Sequence, residues 1–123
     1  MTLPETAFAF CRECLSWDVG SSILVFPNSA QREVVSDRAT NRTFDYRDLN
    51  AVITAMQDWM DGYEDFGLVV HHSRRGTWHA AIVNESIFPP DLKGESEETC
   101  VDPCVAIMQA CLEAARKLKE KAA

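Results

Sequence analysis

Long apolar runs are missing from this chain, and so is a basic surface. No segment approaches the ~20 consecutive apolar residues that a membrane-spanning helix requires, and none has the pattern of a signal peptide. Lysine and arginine number 12 against 19 aspartates and glutamates, which gives a formal net charge of -7. The basic residues are scattered, so no face is expected to follow a phosphate backbone. The sequence therefore predicts a soluble cytoplasmic protein that binds neither nucleic acid nor a membrane directly.

The motifs of common catalytic sites are also missing. The sequence contains neither a glycine-rich phosphate loop nor the Gly-x-Ser-x-Gly turn that presents a nucleophilic serine. His71 and His72 are adjacent in a predicted strand, so their side chains point to opposite faces and cannot share one metal without distortion. The three tryptophans, Trp17, Trp59 and Trp78, are expected to pack in or beside the core rather than to form a ligand box. These absences favour a protein that is not an enzyme and holds no cofactor.

Five cysteines are present, and an odd number without an export signal indicates reduced thiols. Cys11 and Cys14 form one closely spaced pair, and Cys100 and Cys104 form another, which together could supply four thiolates to a structural zinc ion. The first pair, however, falls within a helical apolar pattern, and buried cysteine packs like a small apolar side chain. Core packing is therefore the prediction, and a small zinc- or thiol-dependent protein built on these four cysteines is an alternative.

The segment 44–63 predicts the central amphipathic helix of the domain. Asp45 is suited to be its N-cap, and Phe44 and Leu49 have the spacing of a hydrophobic staple. The apolar residues of the segment recur at helical spacing and form one stripe. We expect four residues of this stripe to be buried against a sheet: Leu49, Val52, Ile53 and Met56.

Two further helices are predicted at the ends of the chain. Thr2 and Glu5 have capping-box spacing at the start of the first helix, which should end near Trp17. Asp102 caps the last helix, with Pro103 at its first position.

Short β-type runs predict four strands between these helices. They lie at 23–26, around Val34 and Val35, at 66–72 and at 78–84. The link 73–76 has hairpin length, and we expect His72 to pair with Thr77. The segment 86–99 is predicted to be a loop, which is either an interaction surface or a mobile, solvated connection. The order α-β-β-α-β-β-α in one domain spanning 1–123 predicts an α+β fold, a three-layer α/β/α sandwich with a small, mainly antiparallel sheet of about four strands.

Four short segments share a pattern with one family of small proteins. Residues 14–17 end the first helix in a tryptophan, 44–51 lead into the second helix, 78–81 form a tryptophan-bearing strand, and 104–114 form an alanine-rich last helix. In these segments the chain resembles the phage ABA sandwich domain family, although Asp45 and Tyr46 replace that family's small polar pair. The resemblance implies a three-layer sandwich carried by a phage or prophage, and it brings no catalytic residues.

The acidic segment 86–99 is the predicted interaction surface. It carries four carboxylates against a single Lys93, namely Asp91, Glu95, Glu97 and Glu98, and we expect the fold not to need it. A basic protein partner would suit this charge, and Arg74 and Arg75 at the hairpin tip form a second candidate surface.

The predicted function is that of a non-enzymatic phage or prophage accessory protein that binds a host or phage protein. A specific form is an acidic inhibitor of a host defence system, of the anti-CRISPR type. The zinc- or thiol-dependent protein and a purely structural, self-associating module are the alternatives.

Overall fold

The computed structural model describes residues 2–122, which form three α-helices and six β-strands. The helices are α1 (Leu3–Glu13), α2 (Leu49–Met60) and α3 (Pro103–Ala122). The strands are β1 (Val19–Val25), β2 (Gln31–Asp37), β3 (Thr43–Phe44), β4 (Phe66–His72), β5 (Trp78–Asn84) and β6 (Asp91–Glu95). The predicted α+β class and its three helices are confirmed, and β3 and β6 are added to the four predicted strands.

The strands form two separate antiparallel sheets, in the orders β1-β2-β3 and β4-β5-β6. The sequence predicts a single sheet, and the structure differs because each strand pairs only with its neighbours along the chain. Such local hairpin pairings need only short connections, and α2 separates the two sets of strands.

The β4–β5 hairpin has the predicted strands but not the predicted register. His72 pairs with Trp78 rather than with Thr77. A shift of one residue exchanges the two faces of a strand relative to its partner. Leu68 therefore lies beside Ile82 on the face toward the core, whereas Val69 lies beside Ala81 on the other face.

Helix α3 is the element around which the rest packs. It contacts β5 and β6 as well as α1 and α2. Asp102 caps its start as predicted, since Oδ1 accepts a hydrogen bond from the Cys104 N–H at 2.8 Å. Among residues 2–122, no helix has the length and apolar content that crossing a membrane would require.

Helix α2 begins later than predicted, and its N-cap is Asp48 rather than Asp45. Phe44 belongs to β3, where it pairs with Val35 of β2, so it does not directly precede the N-cap as the predicted staple requires. Asp45 instead accepts a 2.7 Å hydrogen bond from Arg32. The buried face of α2 is made of Val52, Ala55, Met56 and Trp59.

The predicted burial of the α2 stripe against a sheet is therefore only partly right. Val52 and Met56 are buried, but Leu49 is 38% exposed and Ile53 is only half-buried. The helix packs against α3 instead of covering a sheet. Leu49 is the first residue of the helix rather than one turn inside it, and the buried face runs along Val52, Ala55, Met56 and Trp59.

Candidate binding cleft

The acidic segment 86–99 is not a simple loop, because β6 lies within it. Gly94 pairs with Ile82, and the buried Ser96 is joined to Ala80 by two hydrogen bonds. In these bonds the Ser96 N–H donates to the Ala80 carbonyl and the Ala80 N–H donates to Ser96 Oγ, both at 2.9 Å. The expectation that the fold does not need this segment is therefore wrong.

Two of its four predicted carboxylates are already paired within the chain. Asp91 accepts a 2.8 Å hydrogen bond from Lys93, and this bond and the lysine charge lower the pKa of Asp91. Glu95 lies 3.1 Å from the His79 ring. Glu97 and Glu98 remain exposed. The structure thus leaves a smaller acidic surface than the sequence suggests.

Arg74 and Arg75 lie exposed in the turn between β4 and β5, as predicted. Ser73 organises the turn because its Oγ accepts hydrogen bonds from the N–H groups of Arg75 and Thr77. Gly76 has a φ of 80°, a conformation that favours glycine. The tip is thus a defined hairpin turn that presents both guanidinium groups to solvent.

The cysteines form no metal site in the part of the chain that the structure describes, since no group of three or more His, Cys, Asp or Glu could hold a metal ion there. Cys11, Cys100 and Cys104 are buried, and Cys14 is half-buried. Burial and the neighbouring Cys14 raise the pKa of Cys11 to about 12, and burial and the nearby Asp102 do the same for Cys104. Burial and the charge of Glu13 raise the pKa of Cys14 to about 12. These thiols are therefore protonated at neutral pH.

A cleft of about 1140 Å³ lies where the end of α1, one face of α2 and the last turns of α3 meet. Neither Arg74, Arg75 nor the acidic segment lines it. Its walls are rich in aromatic side chains, namely Trp17, Phe44, Trp59 and Tyr63. Clefts of this kind, mostly apolar with a few charged groups, are the usual form of a binding site.

The turn after α1 positions the first tryptophan of the cleft. Helix α1 ends at Glu13, earlier than the predicted end near Trp17. Ser16 then adopts a left-handed conformation with a φ of 58°, and the Trp17 N–H donates to the Cys11 carbonyl at 3.0 Å. A residue in the left-handed conformation commonly ends a helix, and this bond closes the seven residues from Cys11 to Trp17. It turns the chain sharply and directs Trp17 to the cleft.

A cation of the chain itself occupies the cleft beside Trp17. The Arg42 guanidinium lies over the Trp17 ring, 5.7 Å from the ring centre. The same guanidinium lies 3.7 Å from the Asp58 carboxylate of α2. Because its side chain is largely exposed, Arg42 can leave this position at little cost.

The opposite rim of the cleft combines aromatic rings with negative charge. Tyr63 stacks on Phe66 with ring centres 4.7 Å apart, and Trp59 lies 5.4 Å from Tyr63. The last turn of α2 contains no basic residue, so the negative end of the helix dipole is not neutralised. Asp61, Glu64 and Asp65 are exposed in the segment that follows.

A bidentate ion pair fixes the width of the cleft at the α1 end. Arg116 of α3 donates two 2.8 Å hydrogen bonds to the carboxylate of Glu13 in α1. The hydrogen bond from Arg116 is the main cause that lowers the pKa of Glu13. The charged pair therefore ties two walls of the cleft together.

The prediction that the three tryptophans pack in or beside the core is confirmed, since Trp59 is buried and Trp17 and Trp78 pack against the core. The sequence did not predict that two of them also line a cleft. Trp17 and Trp59 come together with Tyr63, whereas Trp78 stacks on His72 in the other part of the molecule. The usable signal was the run of carboxylates after α2, which follows an aromatic residue and contains no lysine or arginine.

Comparisons with protein families, curated proteins and solved structures found no match for this chain. The resemblance to the phage ABA sandwich domain family stays a prediction.

Proposed function

We propose that this chain is a non-enzymatic phage or prophage accessory protein that binds a basic segment of another protein in the aromatic cleft. The observation that carries the proposal is the position of Arg42 between Trp17 and Asp58. The chain's own guanidinium occupies the type of site that an arginine of a partner would take. Flat cations bind well over tryptophan rings, and a carboxylate at the edge adds a charge-assisted hydrogen bond.

The charge of the cleft also suits a basic segment. Its lining includes the carboxylates of Glu13, Asp48 and Asp58 against the cations of Arg42 and Lys119. The exposed carboxylates after α2 and the dipole of that helix add negative charge at the rim. A partner that brings one or two cations on an apolar segment would therefore find both charge and aromatic contacts.

The lining of the cleft offers little to acid–base or thiol chemistry. No histidine is among the described residues that line it, and its one cysteine, Cys14, has a pKa of about 12. General acid–base catalysis needs a group whose pKa lies near the working pH. These features support binding over catalysis and also weigh against the thiol-dependent alternative.

The predicted resemblance to the phage ABA sandwich domain family gives this proposal its biological form. An acidic inhibitor of a host defence system, of the anti-CRISPR type, would act in the bacterial cytoplasm by covering a basic nucleic-acid channel. The three-layer α/β/α sandwich of the family is part of the same proposal. A layered fold agrees with the contacts of α3. This helix packs against β5 and β6 and also against α1 and α2.

Affinity capture from a bacterial host lysate, with mass-spectrometric identification, tests the proposal. We expect recovery of the partner to fall with Tyr63→Ala and with Asp61→Lys, because both change the exposed rim of the cleft. Lysine at position 61 also suits a helix C-terminus, so this change is not expected to destabilise the fold, and circular dichroism checks that the variant is folded. Arg42→Ala should raise recovery, because it vacates the site and removes a like charge.

The matched control is Glu97→Lys with Glu98→Lys, an equal change of charge in the acidic segment. Recovery of the partner should be nearly unchanged in this control. If the control loses the partner while the Tyr63 and Asp61 variants retain it, the acidic segment is the binding surface and the cleft is not.

A further inference from the structure

Strand β4 forms one edge of its sheet, and one set of its backbone groups faces away from β5. The Ser73 N–H donates to the Thr77 carbonyl, and the Glu85 N–H donates to the Asp65 carbonyl. Hydrogen-bonded pairs alternate with non-bonded pairs along an antiparallel ladder. The backbone groups of Leu68, Val70 and His72 therefore point outward, toward the open edge.

The side chains at this edge are apolar and exposed on both faces of the sheet. Val69 is 53% exposed and Val70 is 41% exposed, although neighbouring residues in a strand point to opposite faces. Within β4 there is no proline, no lysine and no register shift. These are the devices that usually keep an edge strand from pairing with another chain.

The opposite edge of the same sheet is protected. The pairing of β5 with β6 contains a register shift between Ile82 and Val83. Lys93 lies at this irregularity and is paired with Asp91. The contrast makes β4 the edge that is open to another strand.

The charges at the two ends of β4 are opposite. Glu64 and Asp65 precede the strand, and Arg74 and Arg75 follow it, all four being exposed. When two identical strands pair in antiparallel orientation, the start of each lies beside the end of the other. The acidic end of one copy would thus meet the basic end of its twin.

We propose that two copies of this chain associate through an antiparallel β4–β4 pairing, which joins their three-stranded sheets into one sheet of six strands. With the twofold axis at Val70, the outward backbone groups of Leu68 and His72 pair across the interface. In this register Asp65 of each copy faces Arg75 of the second copy. A parallel arrangement would place like charges together, so the charge pattern selects the antiparallel dimer.

This inference does not depend on the cleft, because neither Val70 nor Arg75 lines it. Failure of the binding proposal and failure of the dimer can therefore be told apart. The dimer would also give a role to the Arg74–Arg75 pair, which the cleft does not use.

Sedimentation equilibrium of the full chain over a concentration series tests the proposal. We expect a dimer for the wild type and a monomer for Val70→Lys, since that change buries two like charges at the twofold axis. Ile23→Lys is the matched control, because Ile23 is 56% exposed on the edge strand β1 of the other sheet. This control should remain a dimer, and circular dichroism should show that both variants are folded.

A charge exchange tests the register independently. Asp65→Arg alone and Arg75→Asp alone should each weaken the dimer by about tenfold, because each turns two attractions into repulsions. The double variant should restore the wild-type affinity. A wild-type chain that stays monomeric at the highest soluble concentration would overturn the proposal. So would a dimer that survives Val70→Lys, or one that Ile23→Lys abolishes.

Discussion

Gly94 of β6 lies directly against the backbone of Ala114 in α3. A Cβ atom built on Gly94 would come within 2.8 Å of the Ala114 Cα, and it would also meet the backbone of Ala110. Neither neighbour is the end of a flexible side chain, so neither can move aside alone. The contact explains why the acidic segment follows α3 closely instead of looping into solvent.

Gly94→Ala should therefore destabilise the protein by roughly 1–3 kcal/mol, the usual cost of inserting a methyl group into a filled space. Chemical denaturation followed by circular dichroism measures the effect. Gly62→Ala is the matched control, because the nearest atom to its added Cβ is the Trp59 carbonyl oxygen at 3.8 Å. Equal stability of the two variants would contradict the close approach of β6 to α3.

The buried face of α2 gives a second prediction. Met56→Ala should cost about 2–5 kcal/mol because Met56 is buried between α2 and the core, whereas Leu49→Ala should cost less than about 1 kcal/mol. Ile53→Ala should lie between them, since Ile53 is half-buried. Urea denaturation of the three variants ranks them. A larger loss for Leu49→Ala than for Met56→Ala would contradict the observed burial of this face of α2.

The Asp37 carboxylate should make the fold sensitive to acid. Burial alone would raise its pKa, but hydrogen bonds from Thr40, Ala39 and Asp18 outweigh burial and lower the pKa below the usual 3.8. Because the folded pKa lies below the unfolded one, the stabilisation is present above pH 3.8 and is lost as the pH falls through the folded pKa.

The melting temperature of wild type and of Asp37→Asn, measured from neutral pH down to strong acid, checks this dependence. The wild type should be more stable at neutral pH, and the difference should shrink in acid. A difference that stays constant with pH would show that the charge of Asp37 contributes nothing.

The thiols should react slowly in the folded protein. Burial raises the pKa of Cys11, Cys14 and Cys104 to about 12, well above that of an exposed thiol, so very little of each is the reactive thiolate. Labelling with iodoacetamide at mildly alkaline pH, followed by mass spectrometry, should give little product until denaturant is added. Rapid labelling of Cys11 or Cys14 in the native state would favour the thiol-dependent alternative.

Metal analysis of protein purified without chelator tests the zinc alternative. We expect no stoichiometric zinc, because Cys100 donates its thiol hydrogen to Gln109 and the described residues contain no group of three or more potential ligands placed to hold a metal ion. Stoichiometric zinc that is lost together with the fold on chelation would contradict this expectation.

The strands and caps set by local residues were predictable from the sequence. The bounds of β4 and β5 and the cap at Asp102 follow from β-type runs, a turn and a proline, all of which act within a few residues. The register of the hairpin could not be predicted from these local patterns. In the structure His72 lies opposite Trp78 and their rings stack, a contact between side chains on two strands. Local patterns therefore fixed the elements but not their faces.

The rest of the fold depends on contacts between distant parts of the chain. β6 follows a proline pair and contains lysine and glycine, so its own sequence has low strand propensity. The strand is held in place by the close approach of Gly94 to α3 and by the hydrogen bond between Ser96 and Ala80. The cleft likewise forms only where three helices meet. There Trp17 and Trp59, which are 42 residues apart in the sequence, line the same cleft. The spacing of the tryptophans does not predict this cleft, and the run of carboxylates after α2 is the local signal that the sequence offers.

Hydrogen–deuterium exchange of the chain with and without its captured partner tests the binding site most directly. If the partner binds in the cleft, the backbone amides at 13–17 and 58–65 should be protected from exchange when the partner is added. Exchange at 95–98 should change little. The same pattern should be lost in Tyr63→Ala. Protection confined to 95–98, with unchanged exchange at 58–65, would contradict the cleft and place the partner on the acidic segment.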